Sequence, residues 1–393
     1  MKKTLIFISI IIVVLFCLLL LTAFISFQAR GSGIDTPPDT DAAESADGIS
    51  ANVITLPTGE EALLSSMSLE EKAAQLIMAS CHEAGSAQEA ARLSVGGLCL
   101  YADAFQDKTP DQVRQMTESL QAASDIPLLI SVDEEGGSVC RVSTNAALRA
   151  EPFQSPLALY QAGGFALIES DSAEKSALLL DLGINVNLAP VCDVPLSASD
   201  YIYVRSFGTD ADLTADYVSR IVAVMKASGI GCTLKHFPGY GGSSDTHKGM
   251  AYDSRPYEDF LSRDFLPFQA GIAAGADSVL VSHNIVQCMD ESLPASLSPE
   301  VHRILREELG FDGVIISDDL FMDAIVQFTG GENAAVQAVL AGNDLICCAD
   351  VEASIAAITD AVERGVIPLE QIDASVLRIF RWKTSLGLDI SEK

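Results

Sequence analysis

Basic residues are scarce in this chain of 393 residues: 24 Lys and Arg stand against 54 Asp and Glu. The resulting formal charge of −30 repels phosphate backbones, wall polyphosphates and anionic lipid headgroups, and it excludes nucleic acid as a partner. Metal-ligand spacing is absent too. None of the nine cysteines falls into a Cys-x-x-Cys or Cys/His zinc pattern. Most lie in apolar runs, as in Gly97-Leu-Cys-Leu100 and Leu345-Ile-Cys-Cys348, and read as small buried hydrophobes. No Gly-x-Gly-x-x-Gly follows the first candidate strand, and Gly163-Gly and Gly241-Gly are too short to serve as phosphate loops. The expectation is a protein that needs neither metal nor cofactor.

One long apolar run is present, and it lies at the N-terminus. From Thr4 to Phe27 the chain carries no charge, and as a helix this run spans roughly 36 Å, enough for a bilayer core of ~30 Å. Lys2 and Lys3 in front of it favour a cytoplasmic N-terminus with the body outside. A cleaved signal peptide is the competing reading, but its apolar region usually runs ~7–15 residues before a small-residue cleavage site, and no clear Ala-x-Ala follows here. Residues 1–27 are therefore expected to be a signal anchor, giving a single-pass protein of the cell membrane with its main domain extracellular. Residues 28–55 are rich in Gly, Ser, Pro and Asp and read as a flexible tether. Residues 56–393 form the expected main domain.

From Leu56 onward, short apolar runs alternate with helical patterns. Candidate strands cover 75–78, 97–101, 127–132, 186–189, 232–234, 278–282, 313–316 and 344–347. Helix-like stretches between them include 173–182, 212–228, 299–309 and 333–340, the third opened by Ser298-Pro299-Glu300 as cap, first helical residue and acid. Eight strand–helix units imply a parallel sheet and suit a closed (β/α)8 TIM-like barrel, an α/β fold. An open doubly wound sheet is the alternative. The tail 370–386, with Val376, Ile379, Phe380 and Trp382, reads as a last amphipathic helix packed on the core, with no second domain expected after it.

Polar residues gather where the strands stop. Asp133-Glu-Glu-Gly-Gly137 follows the third, with Arg141 close behind; Asp193 follows the fourth, with Arg205 in the loop beyond. Lys235-His236 ends the fifth, His283-Asn284 the sixth and Asp318-Asp319 the seventh. In barrels of this kind such ends converge on one pocket. Arg, Lys, His and carboxylates without metal spacing suit a polyhydroxylated substrate, whose hydroxyls need both donors and acceptors. Asp245 and His247, two apart in the loop after the fifth strand, place a carboxylate where it can orient an imidazole and stabilise its protonated form.

Lys235-His236-Phe-Pro-Gly-Tyr-Gly241 with Asp245-Thr-His247, Asp133-Glu-Glu-Gly-Gly137 with Arg141, and Phe311-Asp-Gly-Val-Ile-Ile-Ser-Asp-Asp-Leu-Phe-Met322 occur here in one order. Together they resemble the bacterial β-N-acetylhexosaminidases of glycoside hydrolase family 3, and the resemblance covers roughly residues 60–388. It implies that Asp318 is the nucleophile, that His247 transfers the proton with Asp245 orienting it, and that Asp133, Arg141, Arg205, Lys235 and His236 bind the sugar. The implied activity is retaining exo-hydrolysis of terminal β-linked N-acetylglucosamine, from muropeptides or chitin-type glycans. An N-acetylglucosaminide phosphorylase and a non-catalytic anchored glycan-binding protein are the alternatives. The chain departs from the pattern at Ser138, where many members carry Arg, and at Gly242-Ser243, where Asp-Thr is frequent. Plainer readings stand beside these. Asp319 suits a structural role better than Asp318, Lys235 and His236 could pair with Asp133 structurally, and His283 could be a core histidine. Glu134 and Glu135 receive no role, and His82 and His302 fall in surface-like helical patterns.

Overall fold

The computed structural model describes residues 59–390 apart from 82–83 and 331–332. The expected anchor, its tether and His82 lie outside the described residues. Among those described, no helix is long and apolar enough to cross a membrane.

All eight expected strands form, with shifted ends. They are β1 (Ile77–Cys81), β2 (Gly97–Leu100), β3 (Leu129–Val132), β4 (Val186–Asn187), β5 (Gly231–Phe237), β6 (Ser278–Val281), β7 (Val314–Ser317) and β8 (Ile346–Cys348). Every residue of each is buried, which is why the runs read as continuously apolar rather than alternating. The strands pair in parallel in the order β8-β1-β2-β3-β4-β5-β6-β7. A parallel bridge between Ile316 and Leu345 links the two outer strands, leaving a nearly closed barrel.

Alternate side chains face two cores. Ile77, Leu98, Ile130, Leu234, Val279 and Ile315 point outward to the helices, whereas Met78, Cys99, Leu129, Leu280, Ile316 and Cys347 fill the interior. The helices carry ordinary end signals. Thr109 and Gln112 form a capping box on Pro110–Ala122, and Ser298 accepts the Val301 amide at the start of Pro299–Arg303. That helix continues as a wider, π-type turn over Ile304–Glu308. His302 on it is buried, its Nδ1 2.8 Å from the Ser298 carbonyl oxygen, so the surface reading of this residue is corrected. The eight described cysteines are all free thiols, seven of them buried, in keeping with small core residues.

The final helix, Leu369–Ser385, plugs one end of the barrel. Its Ile379 and Trp382 join the interior cluster, and Gly231 opening β5 leaves room for them, since a Cβ there would sit 3.1 Å from the Trp382 ring. The same helix carries Lys383, fully buried, whose Nζ donates to Gln75 Oε1 at 2.7 Å. Burial pulls the Lys383 pKa down to about 7, against ~10.4 for an ordinary lysine. Between those values the unfolded chain holds the proton more tightly, so stability rises with pH across the window. Denaturant titrations from pH 7 to 10 are expected to show wild type gaining up to about 1.4 kcal/mol per pH unit relative to Lys383→Met. Parallel curves would show that this amine does not titrate there.

Candidate active site

With one end plugged, the strands' C-terminal ends form the open end. A cavity of about 620 Å³ lies there. All eight residues singled out in the sequence line it: Asp133, Arg141, Arg205, Lys235, His236, Asp245, His247 and Asp318.

The wall from β3, β4 and β5 is an ion network. Lys235 Nζ lies 2.6 Å from Asp133 Oδ1 and 2.7 Å from Glu135 Oε1. Glu135 is also gripped by Arg205, through Nε at 3.0 Å and Nη2 at 2.7 Å. Arg141 approaches Asp133 at 3.6 Å. His236 Nδ1 sits 2.7 Å from Asp193 Oδ2, and its Nε2 is 3.1 Å from Arg205. Pairing between β5 and β6 shifts register between Lys235 and Phe237, and the bulge lets adjacent Lys235 and His236 both reach the cavity.

Burial alone would neutralise these groups, but each finds an opposite charge. Burial raises the Glu135 pKa, and Arg205 and Lys235 more than reverse this, leaving the carboxyl far below the usual range. For Lys235, burial lowers the pKa while Asp133 and Glu135 raise it further, so the amine stays charged. Removing one member therefore strands another. Glu135→Gln is expected to cost about 3–5 kcal/mol in chemical denaturation at pH 7. Since the folded carboxyl titrates below its unfolded value, its contribution is present above about pH 4.3 and fades on acidification. The variant's deficit should shrink at pH 3.

Glu135 and Asp193 are the two carboxylates of this network to which the sequence pattern gives no role. Glu135 binds partners 70 and 100 residues away, so nothing local announces it. Asp193 holds the His236 ring, the His236 amide and the Tyr240 amide at 2.7, 3.1 and 2.8 Å. By contrast Glu134 is structural: its carboxylate accepts the Arg141, Val142 and Ser143 amides and folds the loop that carries Arg141.

The opposite wall begins at Asp318, just past β7. Its amide donates to the Val281 carbonyl at 2.9 Å, and its Oδ1 accepts the Asp319 amide at 2.9 Å. Among the described residues Oδ2 accepts no hydrogen bond. Burial pushes the Asp318 pKa up, but the imidazoles of His283, His236 and His247 and the Asp319 amide outweigh it, and the carboxyl ends below the ordinary value. His283 is buried between the Ser296 hydroxyl (2.7 Å) and the Asp319 carbonyl oxygen (2.9 Å), and burial lowers its pKa; it supports the floor. Asp319 accepts the Ser80 hydroxyl at 2.6 Å and the Phe321 amide at 3.0 Å, as suits a structural neighbour.

The loop after β5 brings in the third component. Gly239 and Gly241 have φ of 120° and 51°, and a Cβ on either would meet Asp264 or the Arg255 guanidinium at 2.4 Å. Only glycine lets the backbone lie so close to Arg255, which bridges Asp253 and Asp264 at 2.7 Å each. Beyond, the turn Thr246–Lys248 packs against the helix Asp323–Thr329 that follows Asp318. His247 Nδ1 lies 2.9 Å from Asp245 Oδ1, which also accepts the His247 amide at 3.1 Å. Burial raises the Asp245 pKa, but those two donors and Lys248 bring it below the ordinary value. A carboxylate at Nδ1 fixes the proton there and leaves Nε2 as the ring nitrogen free to exchange one, on a side chain 57% exposed that lines the cavity.

A charged carboxylate, a carboxylate-oriented imidazole and a walled set of donors and acceptors share one cavity. Residues 68–382 match the family described as glycosyl hydrolase family 3 N terminal domain. This chain belongs to that family.

As a family 3 member it is a glycoside hydrolase, and the relatives agree. The chain is 31% identical over 339 residues to the β-hexosaminidase LpqI of Mycobacterium tuberculosis, covering 83% of this chain and 85% of that protein. It is 36% identical over 258 residues to a β-hexosaminidase of Xanthomonas campestris pv. campestris, covering 64% and 76%. Among solved structures it resembles a family 3 β-N-acetylglucosaminidase from Paenibacillus sp. str. FPU-7, with a TM-score of 0.77 and 34% identity over 82% of this chain. It spans 63% of that structure's length.

Proposed function

We propose that the protein is a retaining exo-β-N-acetylglucosaminidase working by double displacement. Asp318 Oδ2 attacks the anomeric carbon while His247 Nε2–H gives its proton to the departing glycosidic oxygen. The C1–O bond breaks, and a glycosyl ester on Asp318 remains. Water then attacks C1, His247 Nε2 takes its proton, and the ester bond breaks to release the sugar with its original β configuration. Asp245 keeps a proton on Nδ1 throughout, so the ring enters the first step as imidazolium, giving up its Nε2 proton, and the second as neutral imidazole with Nε2 open to accept one. Asp133, Lys235, Arg141, Arg205 and His236 bind the hydroxyls of the terminal ring.

The observation that supports this reading is a partly buried carboxylate, its pKa held below the ordinary value by neighbouring imidazoles, in one cavity with an imidazole held at Nδ1 by a second carboxylate. The glycan we propose is a muropeptide or a related N-acetylglucosamine-terminated chain, in keeping with relatives named β-hexosaminidase. We further propose that residues 1–27 anchor the enzyme in the cell membrane with the catalytic domain outside.

A slow fluorosugar substrate tests the chemistry. Trapping and peptide mapping should place the label on Asp318, and NMR of early product should show the β anomer in phosphate buffer as in any other. Label elsewhere, α product, or a sugar 1-phosphate would each displace the proposal.

A further inference from the structure

Among the described residues the two most exposed large apolar side chains are Phe321 at 69% and Val204 at 63%. Both line the mouth of the catalytic cavity. Single exposed hydrophobics are ordinary on a protein surface, but here the two extremes fall on one rim. They also come from opposite walls. Phe321 lies three residues past Asp318, and Val204 directly precedes Arg205.

Neither residue is loosely held. The Phe321 amide donates to Asp319 Oδ1 at 3.0 Å, and the preceding Leu320 amide donates to the Cys347 carbonyl oxygen of β8 at 2.9 Å. Val204 closes the short 3-10 turn Tyr201–Val204, whose next residue grips Glu135 with its guanidinium. Two apolar surfaces are therefore presented to solvent on backbone that the ion network and the barrel fix in place. Such preorganisation lowers the cost of binding a ring between them.

The chemistry says which ring. On the double-displacement reading the terminal sugar lies inward, among Asp133, Lys235 and Arg141, and its glycosidic oxygen faces His247 at the rim. Whatever that oxygen is attached to must leave through the mouth, past Phe321 and Val204. We propose that these two side chains form the subsite for the leaving sugar, gripping the apolar C–H face of a pyranose, with Phe321 as the stacking platform. The enzyme would then select a β-linked disaccharide unit over small or flexible leaving groups. This rests on the proposed glycosidase reading and adds a specificity role to residues outside the proton-transfer machinery.

The experiment compares N,N′-diacetylchitobiose with N-acetyl-β-glucosaminyl fluoride, whose leaving group has no ring. In Phe321→Ala the ratio of kcat/KM for the disaccharide to that for the fluoride should fall roughly tenfold, mainly through KM, the size expected for one lost aromatic contact. Phe321→Trp should restore the ratio, and Val204→Ala should lower it about threefold. Hydrolysis of both substrates with an unmoved ratio in Phe321→Ala would overturn the subsite while leaving the glycosidase reading intact. Failure of wild type to hydrolyse either would remove the glycosidase reading, and the subsite with it.

Discussion

Asp318→Asn is expected to lower kcat by about 10⁴-fold or more on N-acetylglucosaminides while the protein keeps its fold. Losses of this size follow removal of a nucleophile whose partners act as one unit. The amide is isosteric with the carboxylate, and its oxygen can still accept the Asp319 amide, so the strand end has no reason to rearrange. What disappears is the negative charge at Oδ2, and with it the covalent route. The smaller variant Asp318→Gly provides the decisive control. It opens space beside C1, so added azide should attack there and give the α-glycosyl azide, with the configuration inverted. Substantial activity in Asp318→Asn, or a β azide from Asp318→Gly, would show that this carboxylate does not attack. Because the imidazoles of His283, His236 and His247 hold its pKa below the ordinary aspartate value, Asp318 should not set the acidic limb of the wild-type profile above that ordinary value.

Much of this architecture was legible because parallel barrel strands are buried on both faces. Each appears as an apolar run, and the first polar residue after it marks the open end of the barrel. Boundaries were harder. The apolar pattern puts Gln75 at the start of a strand, yet it closes the helix Leu69–Gln75, buried where its amide donates to the Ser94 carbonyl oxygen and its carbonyl accepts Lys383. No local pattern records partners 19 and 308 residues away. The same distance in sequence hid the partners of Glu135 and Asp193, whereas the Asp245–His247 pair was readable because two residues on one turn carry it. Likewise, the exposure of Phe321 depends on how its loop folds over β8, and an apolar residue beside apolar neighbours gives no sign of that beforehand.

His247→Ala separates the two halves of the cycle. With an alkyl or sugar leaving group, which must be protonated to depart, kcat should fall by about 10²–10⁴-fold. With the fluoride or a nitrophenolate the first step needs no proton, so the glycosyl ester on Asp318 should still form. It would then wait for water that no base activates. Rapid-mixing experiments should therefore show a burst of one leaving group per enzyme followed by slow turnover, the mark of an accumulating covalent intermediate. Azide needs no base and should release that intermediate as the β-glycosyl azide, opposite in configuration to the Asp318→Gly product. Asp245→Asn should fall between wild type and His247→Ala, since the imidazole remains but loses the carboxylate that fixes its Nδ1 proton 2.9 Å away. A uniform loss across all leaving groups, without a burst, would mean that His247 shapes the loop rather than carries the proton. The geometry argues against that outcome, because the Asp245 carboxylate also accepts the backbone amide of residue 247, and the turn Thr246–Lys248 packs on the helix after Asp318.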